Sequence, residues 1–372
     1  MKKVLVTGAA GFIGKNLVAA LRRREDVSLS TITSDDDWPT LAEALLQADV
    51  IYHLAGINRP KTEDEFTTGN AGLTLQITSH LEELGRKSTI VLPSSIQAEL
   101  DNPYGRSKKA AEESLIDYAR RTGASVAIYR LPNVFGKWSR PNYNTVVATF
   151  CYNIARDIDI TISDPERELE LVYIDDVVNT FLRHLDSENE PQRIRYSVPR
   201  TFRITLGELA NRIRTLHQIR PSLVVPNLAD ELTLCLHATY LSFLSKDAFA
   251  YPAKLNTDNR GWLFELLKSE HFGQIFVSKT QPGITRGDHY HDSKLEKFCV
   301  IQGEAVIRFR HIYSQEILEY LVSGNDIKVV DIPPGYTHSI ENIGQNEMIC
   351  LFWANQIFSP QQPDTFWEKV KS

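Results

Sequence analysis

The first fourteen residues constrain the fold of this chain more than any other segment. A short apolar run, Val4–Val6, leads directly into glycines at positions 8, 11 and 14. The first two glycines let the backbone turn and approach a ligand, and the third lets a helix pack closely on a strand. The N–H groups at the start of such a helix bind phosphate. The segment therefore predicts a strand, a turn and a helix that bind the pyrophosphate of a dinucleotide.

Strand-like and helix-like segments alternate up to about residue 185, and residues 186–243 are more irregular, with an amphipathic helix predicted over Ile204–Leu216. The alternation predicts an α/β Rossmann-type fold, a doubly wound parallel sheet with helices on both faces. The predicted strands are Val4–Val6, Val27–Ile32, Val50–His53, Thr89–Leu92 and Val126–Tyr129, and the predicted helices include Leu41–Gln47, Leu73–Leu84 and Lys108–Arg121.

The sequence pattern changes after about residue 245, where Gly, Thr and aromatic residues separate short runs of alternating apolar and polar residues. Many short strands at close spacing predict an all-β sandwich or barrel. We therefore expect two domains, residues 1–243 and 244–372. The predicted strands of the second domain are Gln274–Ser278, Lys297–Gln302, Ala305–Arg310, Ile317–Val322, Ile327–Asp331 and Met348–Ala354.

Composition excludes several classes of protein. The net charge of −6 and the pI near 6.0 give no bulk affinity for nucleic acid. No apolar stretch reaches the ~18 residues that a membrane span needs. The initial apolar run holds three glycines and ends at Lys15, unlike a signal peptide. The four cysteines are scattered and form no C-x-x-C pair. We expect a cytoplasmic protein without disulfides.

Tyr104 and Lys108 lie four residues apart, which places both side chains on one face of a helix. A phenol has an ordinary pKa of about 10. A nearby ammonium is expected to lower the pKa of Tyr104, and the lysine can also bind the cofactor ribose. Ser94 and Ser95 end a strand at the edge where doubly wound sheets present ligands. The alternative is an ordinary turn after Pro103 and a solvated lysine, which the glycine motif disfavours.

These motifs resemble the extended short-chain dehydrogenase/reductase family over residues 1 to about 185. The resemblance implies that Tyr104 is the proton donor, that Lys108 is its partner and a ribose ligand, and that Ser95, rather than Ser94, orients the substrate carbonyl. The matching motifs are Thr7-Gly8-x-x-Gly11-x-x-Gly14, His53-Leu-Ala-Gly56, Ser94-Ser95, Tyr104-x-x-x-Lys108, Arg130-Leu-Pro-Asn-Val-Phe-Gly136 and Tyr173-Ile-Asp-Asp176.

The resemblance also implies a nicotinamide cofactor, NADPH or NAD(H), and a bound substrate. Acids at 35–37 follow the second strand, a position where an acid favours NAD, but the sequence does not decide between the two cofactors. The implied cofactor-binding residues are Gly8, Gly11, Phe12, Ile13, Gly14, Leu54, Ala55, Tyr104, Lys108 and Pro132. The implied substrate-binding residues are Ser95, Asn133, Lys137, Arg140 and Asn144.

Two departures from the family pattern bear on the reaction. Ser95 is followed by Ile96-Gln97 instead of the Asp-Glu pair of sugar-nucleotide dehydratases, which disfavours dehydration. Leu169 stands where family members often have a phosphate-binding arginine, and Arg167 is out of register. Phosphate contacts are then expected from Lys137 or Arg140, for each of which a solvated surface role is the alternative.

A second group of chemistry-bearing residues follows in the all-β part: His289, His291, Glu296 and His338. The first two lie two apart on a predicted strand and point to one face. Three imidazoles and one carboxylate suit Zn²⁺ or another divalent first-row metal. The sequence therefore predicts a metal site here.

The histidine pattern resembles the two motifs of the cupin family, a double-stranded β-helix barrel. The first motif matches fully, whereas Gly324 lies further upstream than usual in the second. Residues 258–265 resemble the first strand of cupins that act on sugar nucleotides, which include 3,5-epimerases. A barrel used for dimerisation, with a structural metal, is the alternative.

A reductase followed by a cupin resembles the CapF-type family of capsular polysaccharide and O-antigen biosynthesis. This resemblance spans nearly the whole chain. It implies a homodimeric, bifunctional enzyme acting on a UDP-2-acetamido-2,6-dideoxy-4-hexulose. The cupin would epimerise C3, and the reductase would reduce the C4 ketone with NADPH to give UDP-N-acetyl-L-talosamine. Two alternatives stay open: a sugar-nucleotide 4-epimerase with tightly bound NAD, and a non-enzymatic Rossmann sensor or scaffold with a cupin dimerisation module.

Overall fold

The computed structural model describes residues 1–143, 145–186 and 194–371. The chain forms two compact units. The first comprises Met1–Ile213 and Leu234–Leu244, and the second comprises Arg214–Thr233 and the chain from Ser245 onward. The expected division into 1–243 and 244–372 stays a prediction, and the compact units differ from it by the segment Arg214–Thr233.

Local sequence explains where several helices begin and end. The helix that carries Tyr104 is capped by Asn102, whose side chain accepts a hydrogen bond from the Gly105 N–H, and it ends at Gly123 with φ +72°. The helix predicted over Ile204–Leu216 begins later, because its first residues form a strand. The described α-helices are α1 (Phe12–Leu21), α2 (Trp38–Gln47), α3 (Asp64–Phe66), α4 (Leu73–Glu83), α5 (Pro103–Thr122), α6 (Val146–Ile154), α7 (Ile174–Asp186), α8 (Leu206–His217), α9 (Ile219–Ser222) and α10 (Glu231–Leu241), with a π-helical turn (Thr67–Gly72) between α3 and α4 and 3₁₀ turns at Ile96–Glu99 and Lys246–Ala248.

The first unit is built on a six-stranded parallel sheet in the order β2-β1-β3-β4-β5-β8. A separate three-stranded sheet has the order β6-β7-β9. The strands are β1 (Lys2–Thr7), β2 (Val27–Ile32), β3 (Val50–His53), β4 (Thr89–Ser95), β5 (Val126–Leu131), β6 (Asn133–Phe135), β7 (Glu168–Tyr173), β8 (Arg195–Tyr196) and β9 (Phe202–Thr205).

Both faces of the parallel sheet are covered by apolar side chains. Val4 and Val6 on β1 join one core cluster, with side chains of α1 and α7, whereas Leu5 joins a second cluster with side chains of α2, α4 and α5. A strand buried on both faces has a continuous apolar sequence, which is why the run after Lys3 is uninterrupted. The predicted doubly wound α/β fold is confirmed.

The second unit is all-β from Asn256 onward, as predicted, whereas its segment Arg214–Thr233 is partly helical. Its antiparallel strands form a six-stranded sheet, β10-β11-β12-β19-β14-β17, and a five-stranded sheet, β16-β15-β18-β13-β20. Both sheets contribute to one aromatic and aliphatic core, in which Phe298 and Phe352 meet Phe309 and Ile340. The strands are β10 (Asn256–Asp258), β11 (Gly261–Ser269), β12 (Gly273–Thr280), β13 (Thr285–Tyr290), β14 (Glu296–Gln302), β15 (Glu304–His311), β16 (Ile317–Ser323), β17 (Val329–Ile332), β18 (Tyr336–Asn342), β19 (Met348–Ala354) and β20 (Phe366–Trp367).

Among the described residues, no helix combines the length and apolarity needed to cross a membrane. The four cysteines are free thiols in this structure.

Candidate reductase site and candidate metal centre

The glycine-rich turn has the geometry that its spacing predicts. Gly8 has φ +66°, and a Cβ there would lie 2.6 Å from the backbone nitrogen of Ala55. A Cβ on Gly14 would lie 2.2 Å from the Gly8 carbonyl oxygen, so α1 packs against the turn only because residue 14 is glycine. Gly11 is the N-cap of α1 and, because it has no side chain, it forms no capping hydrogen bond. The turn thus leaves the N–H groups of the first turn of α1 available to an anion.

The other expected cofactor residues border the same turn. Leu54 donates its backbone N–H to the Thr7 carbonyl at 3.2 Å, and the Ala55 N–H is 3.2 Å from the Thr7 hydroxyl. The side chains of Phe12, Ile13 and Leu54 pack on the core, so these residues offer a ligand mainly their backbone. Pro132 directly follows β5 and is half-buried. The residues present at this turn fit a dinucleotide.

Tyr104 and Ser95 come together at the carboxyl end of the parallel sheet. Ser95 is the last residue of β4, Tyr104 lies in the first turn of α5, and the two side chains are neighbours. Phe66 covers the phenol ring, with the two ring centres 5.6 Å apart. The Ser95 hydroxyl thus lies beside the Tyr104 phenol in a partly buried site.

The expected lowering of the Tyr104 pKa is wrong. Burial raises the pKa of Tyr104 above its usual value, and the neighbouring Ser95 opposes this only in part. The Lys108 ammonium group donates to the Pro93 carbonyl at 3.0 Å. The phenol is therefore held in its protonated form, the form that an acid catalyst requires.

Lys108 has its own shifted pKa. Burial of the ammonium group lowers its pKa to about 8, and the negative charge of Glu112 opposes that shift. Because Lys108 and Tyr104 are one helical turn apart on α5, they lie on the same face of that helix.

The structure distinguishes the two serines at the end of β4. The Ser94 hydroxyl donates to the buried Glu112 carboxylate, which also binds the Arg130 guanidinium through two nitrogens at 2.9 and 2.6 Å. Ser94 therefore belongs to a buried ion-pair network behind the site. Ser95 is the serine that faces Tyr104.

Asn70 is a site residue that the sequence analysis missed. It lies in the π-helical turn, is 3 % exposed, and its side chain binds both backbone groups of Ile57 and the Ser107 hydroxyl. Ser107 in turn donates to the Tyr104 carbonyl at 2.8 Å. Asn70 thus ties the loop after β3 to the helix that carries Tyr104. Glycines on both sides of it, at 69 and 72, are the sequence signal that could have identified a special backbone there.

The expected substrate residues have separate surroundings. Asn133 is exposed and donates to the Glu170 carbonyl at 3.2 Å. Lys137 forms an ion pair with Asp175, with nitrogen and oxygen 2.5 Å apart. The Arg140 guanidinium lies over the Tyr143 ring at 5.0 Å. Asn144 lies outside the described residues.

A further cation, from Arg59, was not expected at this place. Its guanidinium lies 5.4 Å from the centre of the Tyr143 ring, which therefore has two guanidinium groups near it. No described carboxylate forms an ion pair with Arg59 or Arg140. Leu169, at the position of the missing arginine, is buried in β7. Its replacement of a charged residue is thus accommodated by apolar packing.

The four expected metal ligands converge in the second unit. Suitable ligand atoms of His289, His291, Glu296 and His338 all lie within 4.8 Å of one another. A Glu296 oxygen is 3.4 Å from the Nε2 atoms of both His291 and His338. Cross-strand pairing sets this arrangement, because His289 on β13 is directly opposite His338 on β18.

The cluster carries unsatisfied nitrogen atoms that point to a missing partner. Nδ1 of His289 and Nε2 of His291 and His338 are buried and have no hydrogen-bond partner among the described residues. Burial, with the neighbouring histidines, lowers the pKa of His289 to about 4. Burial would raise the pKa of Glu296, but the neighbouring imidazoles of His291 and His338 outweigh it and lower that pKa to about 2. Three imidazoles and an ionised carboxylate are a ligand set that fits a divalent metal.

Known proteins resemble this chain along its whole length. Residues 4–198 match the NAD dependent epimerase/dehydratase family, and residues 256–366 match the polysaccharide biosynthesis C-terminal domain. The crystal structure of the capsular polysaccharide assembling protein CapF from Staphylococcus aureus is 44% identical, with a TM-score of 0.92 over 99% of this chain and 100% of that one. The chain belongs to the CapF-like family.

Two other relatives place this family among sugar-nucleotide enzymes. A UDP-2-acetamido-2,6-beta-L-arabino-hexul-4-ose reductase from Pseudomonas aeruginosa is 44% identical over 364 residues, 98% of each chain. The UDP-glucuronic acid decarboxylase 5 of Arabidopsis thaliana is 26% identical over 275 residues, 62% of this chain and 79% of its own. The CapF-like family comprises sugar-nucleotide reductase and epimerase enzymes of capsular polysaccharide biosynthesis.

Proposed function

We propose that this CapF-like chain is a bifunctional enzyme. Its first unit reduces the C4 ketone of a UDP-2-acetamido-2,6-dideoxy-4-hexulose, and its second unit inverts C3 of the same sugar. The product is UDP-N-acetyl-L-talosamine. The observation that carries the reductase half is the half-buried Tyr104 phenol beside Ser95, which its raised pKa keeps protonated. The 98% overlap with the UDP-hexulose reductase supports the substrate class.

The reductase residues divide the reduction between them. A bound NADPH supplies the hydride to C4. Ser95 donates a hydrogen bond to the C4 oxygen, and Tyr104 gives that oxygen the proton that completes the alcohol. The Lys108 ammonium binds the cofactor ribose and its charge favours the tyrosinate that remains.

We assign substrate phosphate binding to Arg59 and Arg140 rather than to Lys137. Lys137 is neutralised by Asp175, whereas the two arginines lie over Tyr143 without a described carboxylate. The loop that holds Arg140 folds over the start of α6, since the Asn142 N–H donates to Thr149 at 3.0 Å. Guanidinium groups beside a helix N-terminus suit a diphosphate.

The proposed C3 inversion takes place in the second unit. A C4 ketone acidifies the C3 proton, so its removal gives an enolate that can be reprotonated on the other face. A divalent metal, most suitably Zn²⁺, held by His289, His291, Glu296 and His338 supplies positive charge to stabilise that enolate. Reduction at C4 then removes the activating ketone and fixes the new configuration. The described residues contain no obvious C3 base beyond these ligands.

We also propose that the enzyme is a homodimer that uses the second unit. Strand β16 is an edge strand, and Ile317, Tyr320 and Leu321 on it are exposed. A cleft of about 830 Å³ lies between β16 and β17, the edge strands of the two sheets. An exposed apolar edge of this kind is typically covered by a partner chain.

Solvent deuterium exchange at C3 tests the division of labour in the full-length chain. We expect Tyr104→Phe to lose reduction by at least ~10²-fold, the usual contribution of a positioned acid, while C3 still exchanges deuterium. His338→Ala should instead keep the reduction and lose deuterium exchange at C3. Tyr313→Phe, at an exposed position, is the matched control. Exchange that persists in His338→Ala and disappears in Tyr104→Phe would contradict the proposal and leave the second unit a dimerisation module. Tightly bound NAD without net oxidation of NADPH would instead favour a 4-epimerase.

A further inference from the structure

The C-terminal segment 363–370, here called the strap, contacts β13, β18 and the turn 292–294, which surround the candidate metal centre. Strand β20 pairs with β13, so that Trp367 lies directly opposite the ligand His289. The Thr337 hydroxyl, next to the ligand His338, donates to the Glu368 carbonyl. The backbone N–H of Glu368 donates to the Asp288 carbonyl at 2.9 Å. The strap therefore joins β13 and β18, which carry two of the ligands.

Asp364 makes the most specific of these contacts. Its carbonyl oxygen is 2.5 Å from Nδ1 of His291. A carbonyl can only accept, so Nδ1 carries the hydrogen and the lone pair is on Nε2, the atom that faces Glu296. The hydrogen bond thereby selects the tautomer of His291 that can bind a metal through Nε2.

The side chain of the same residue holds the turn between two ligands. The Asp364 carboxylate accepts hydrogen bonds from the backbone N–H groups of Asp292, Ser293 and Lys294 at 3.0, 3.1 and 2.8 Å. These residues connect His291 to Glu296.

The backbone of Asp364 is itself unusual, with φ +41°. A non-glycine residue adopts such a φ only where its surroundings enforce it. Here the carboxylate and the carbonyl of one residue are both engaged, the first with the turn and the second with His291. A turn cap alone would account for the first contact but not for the second.

We propose that Asp364 is a positioning residue of the candidate metal centre: its carboxylate fixes the turn 292–294, and its carbonyl fixes His291 for metal binding. The inference rests on the proposed metal centre. It makes Asp364 part of the site, although this residue is 73 positions from His291 in sequence.

Metal affinity in the full-length chain tests this role. Co²⁺ binding is followed by visible absorption, and Zn²⁺ binding by competition with a chelator. Asp364→Gly removes the carboxylate and accepts the positive φ, so backbone strain does not confound the result. We expect its affinity to fall ~10- to 100-fold, the usual cost of losing an outer partner of a metal ligand. Asp364→Asn should lose less, and the exposed Asp326→Asn should match wild type. Wild-type affinity in Asp364→Gly would overturn the proposal.

A second measurement needs no metal. In the metal-free wild-type chain, ¹⁵N NMR should show His291 protonated at Nδ1, and Asp364→Gly should show a mixture of tautomers. An unchanged tautomer in the variant would also contradict the positioning role. A wild-type chain that binds neither Co²⁺ nor Zn²⁺ would disprove the metal centre itself. The NMR measurement of the His291 tautomer would then still test the contact between Asp364 and His291.

Discussion

The Ser94 hydroxyl donates a hydrogen bond to the Glu112 carboxylate, and both side chains are buried. This contact commits Ser94 to the ion pair that Glu112 forms with Arg130. The adjacent Ser95 is left facing Tyr104, since successive side chains of a strand point to opposite faces. Two neighbouring hydroxyls that the sequence presents as near equivalents therefore have different tasks.

The two serines should respond differently to replacement by alanine. Ser95→Ala should lower kcat for reduction by ~10²-fold or more, because it removes a donor to the reacting oxygen. Ser94→Ala should instead lower the free energy of unfolding by about 1 kcal/mol, the usual value of one hydrogen bond. Steady-state kinetics and denaturant unfolding of both variants distinguish the two roles. The assignment is reversed if Ser94→Ala is the catalytically impaired variant.

Lys108 should impose an alkaline limit on cofactor binding. With a pKa of about 8, its ammonium group loses its charge as the pH rises through 8. The Tyr104 phenol is not responsible for this limit, because its pKa is raised above the ordinary tyrosine value. We expect kcat/KM for NADPH to fall above pH 8 in the wild type and to show no such fall in Lys108→Arg, whose guanidinium stays charged. Identical pH profiles would contradict the role of Lys108.

Gly11→Val should separate cofactor binding from folding. Gly11 has φ −73°, which valine can adopt, and a Cβ there would meet only the Gly8 carbonyl oxygen at 3.1 Å. The branched side chain would, however, occupy the approach to the first turn of α1. We expect nucleotide affinity, measured by calorimetry, to fall sharply while metal content is retained. Gly344→Ala, in the second unit, is the control. Wild-type affinity in Gly11→Val would locate the phosphate site elsewhere.

Metal removal should destabilise the second unit. If the unpaired nitrogens of His289, His291 and His338 bind a metal, its binding energy is also folding energy. Metal at 100 times its Kd contributes ~2.7 kcal/mol. A chelator should therefore lower the Tm of the wild type but not that of His338→Ala. His311→Ala, outside the cluster, should behave like wild type. A Tm insensitive to chelation in all three chains argues against a metal.

The sequence alone determined the fold class and most residues of both candidate sites. Glycine at 8, 11 and 14 is required by backbone geometry, and the four-residue spacing of Tyr104 and Lys108 follows from helix periodicity. Such local rules operate within a few residues and can be read without coordinates. Strands β6 and β9, of three and four residues, were not predicted, because short strands carry little periodic signal.

Only the tertiary structure decided how these residues are paired and charged. The pKa of Tyr104 depends on how deeply Phe66 and its other neighbours bury it, and the sequence does not specify burial. Asp175 engages Lys137, Arg59 joins Arg140 around Tyr143, and Asp364 reaches His291 from 73 residues away. Contacts between distant parts of the chain form only when elements pack, and they have no fixed spacing by which the sequence could reveal them.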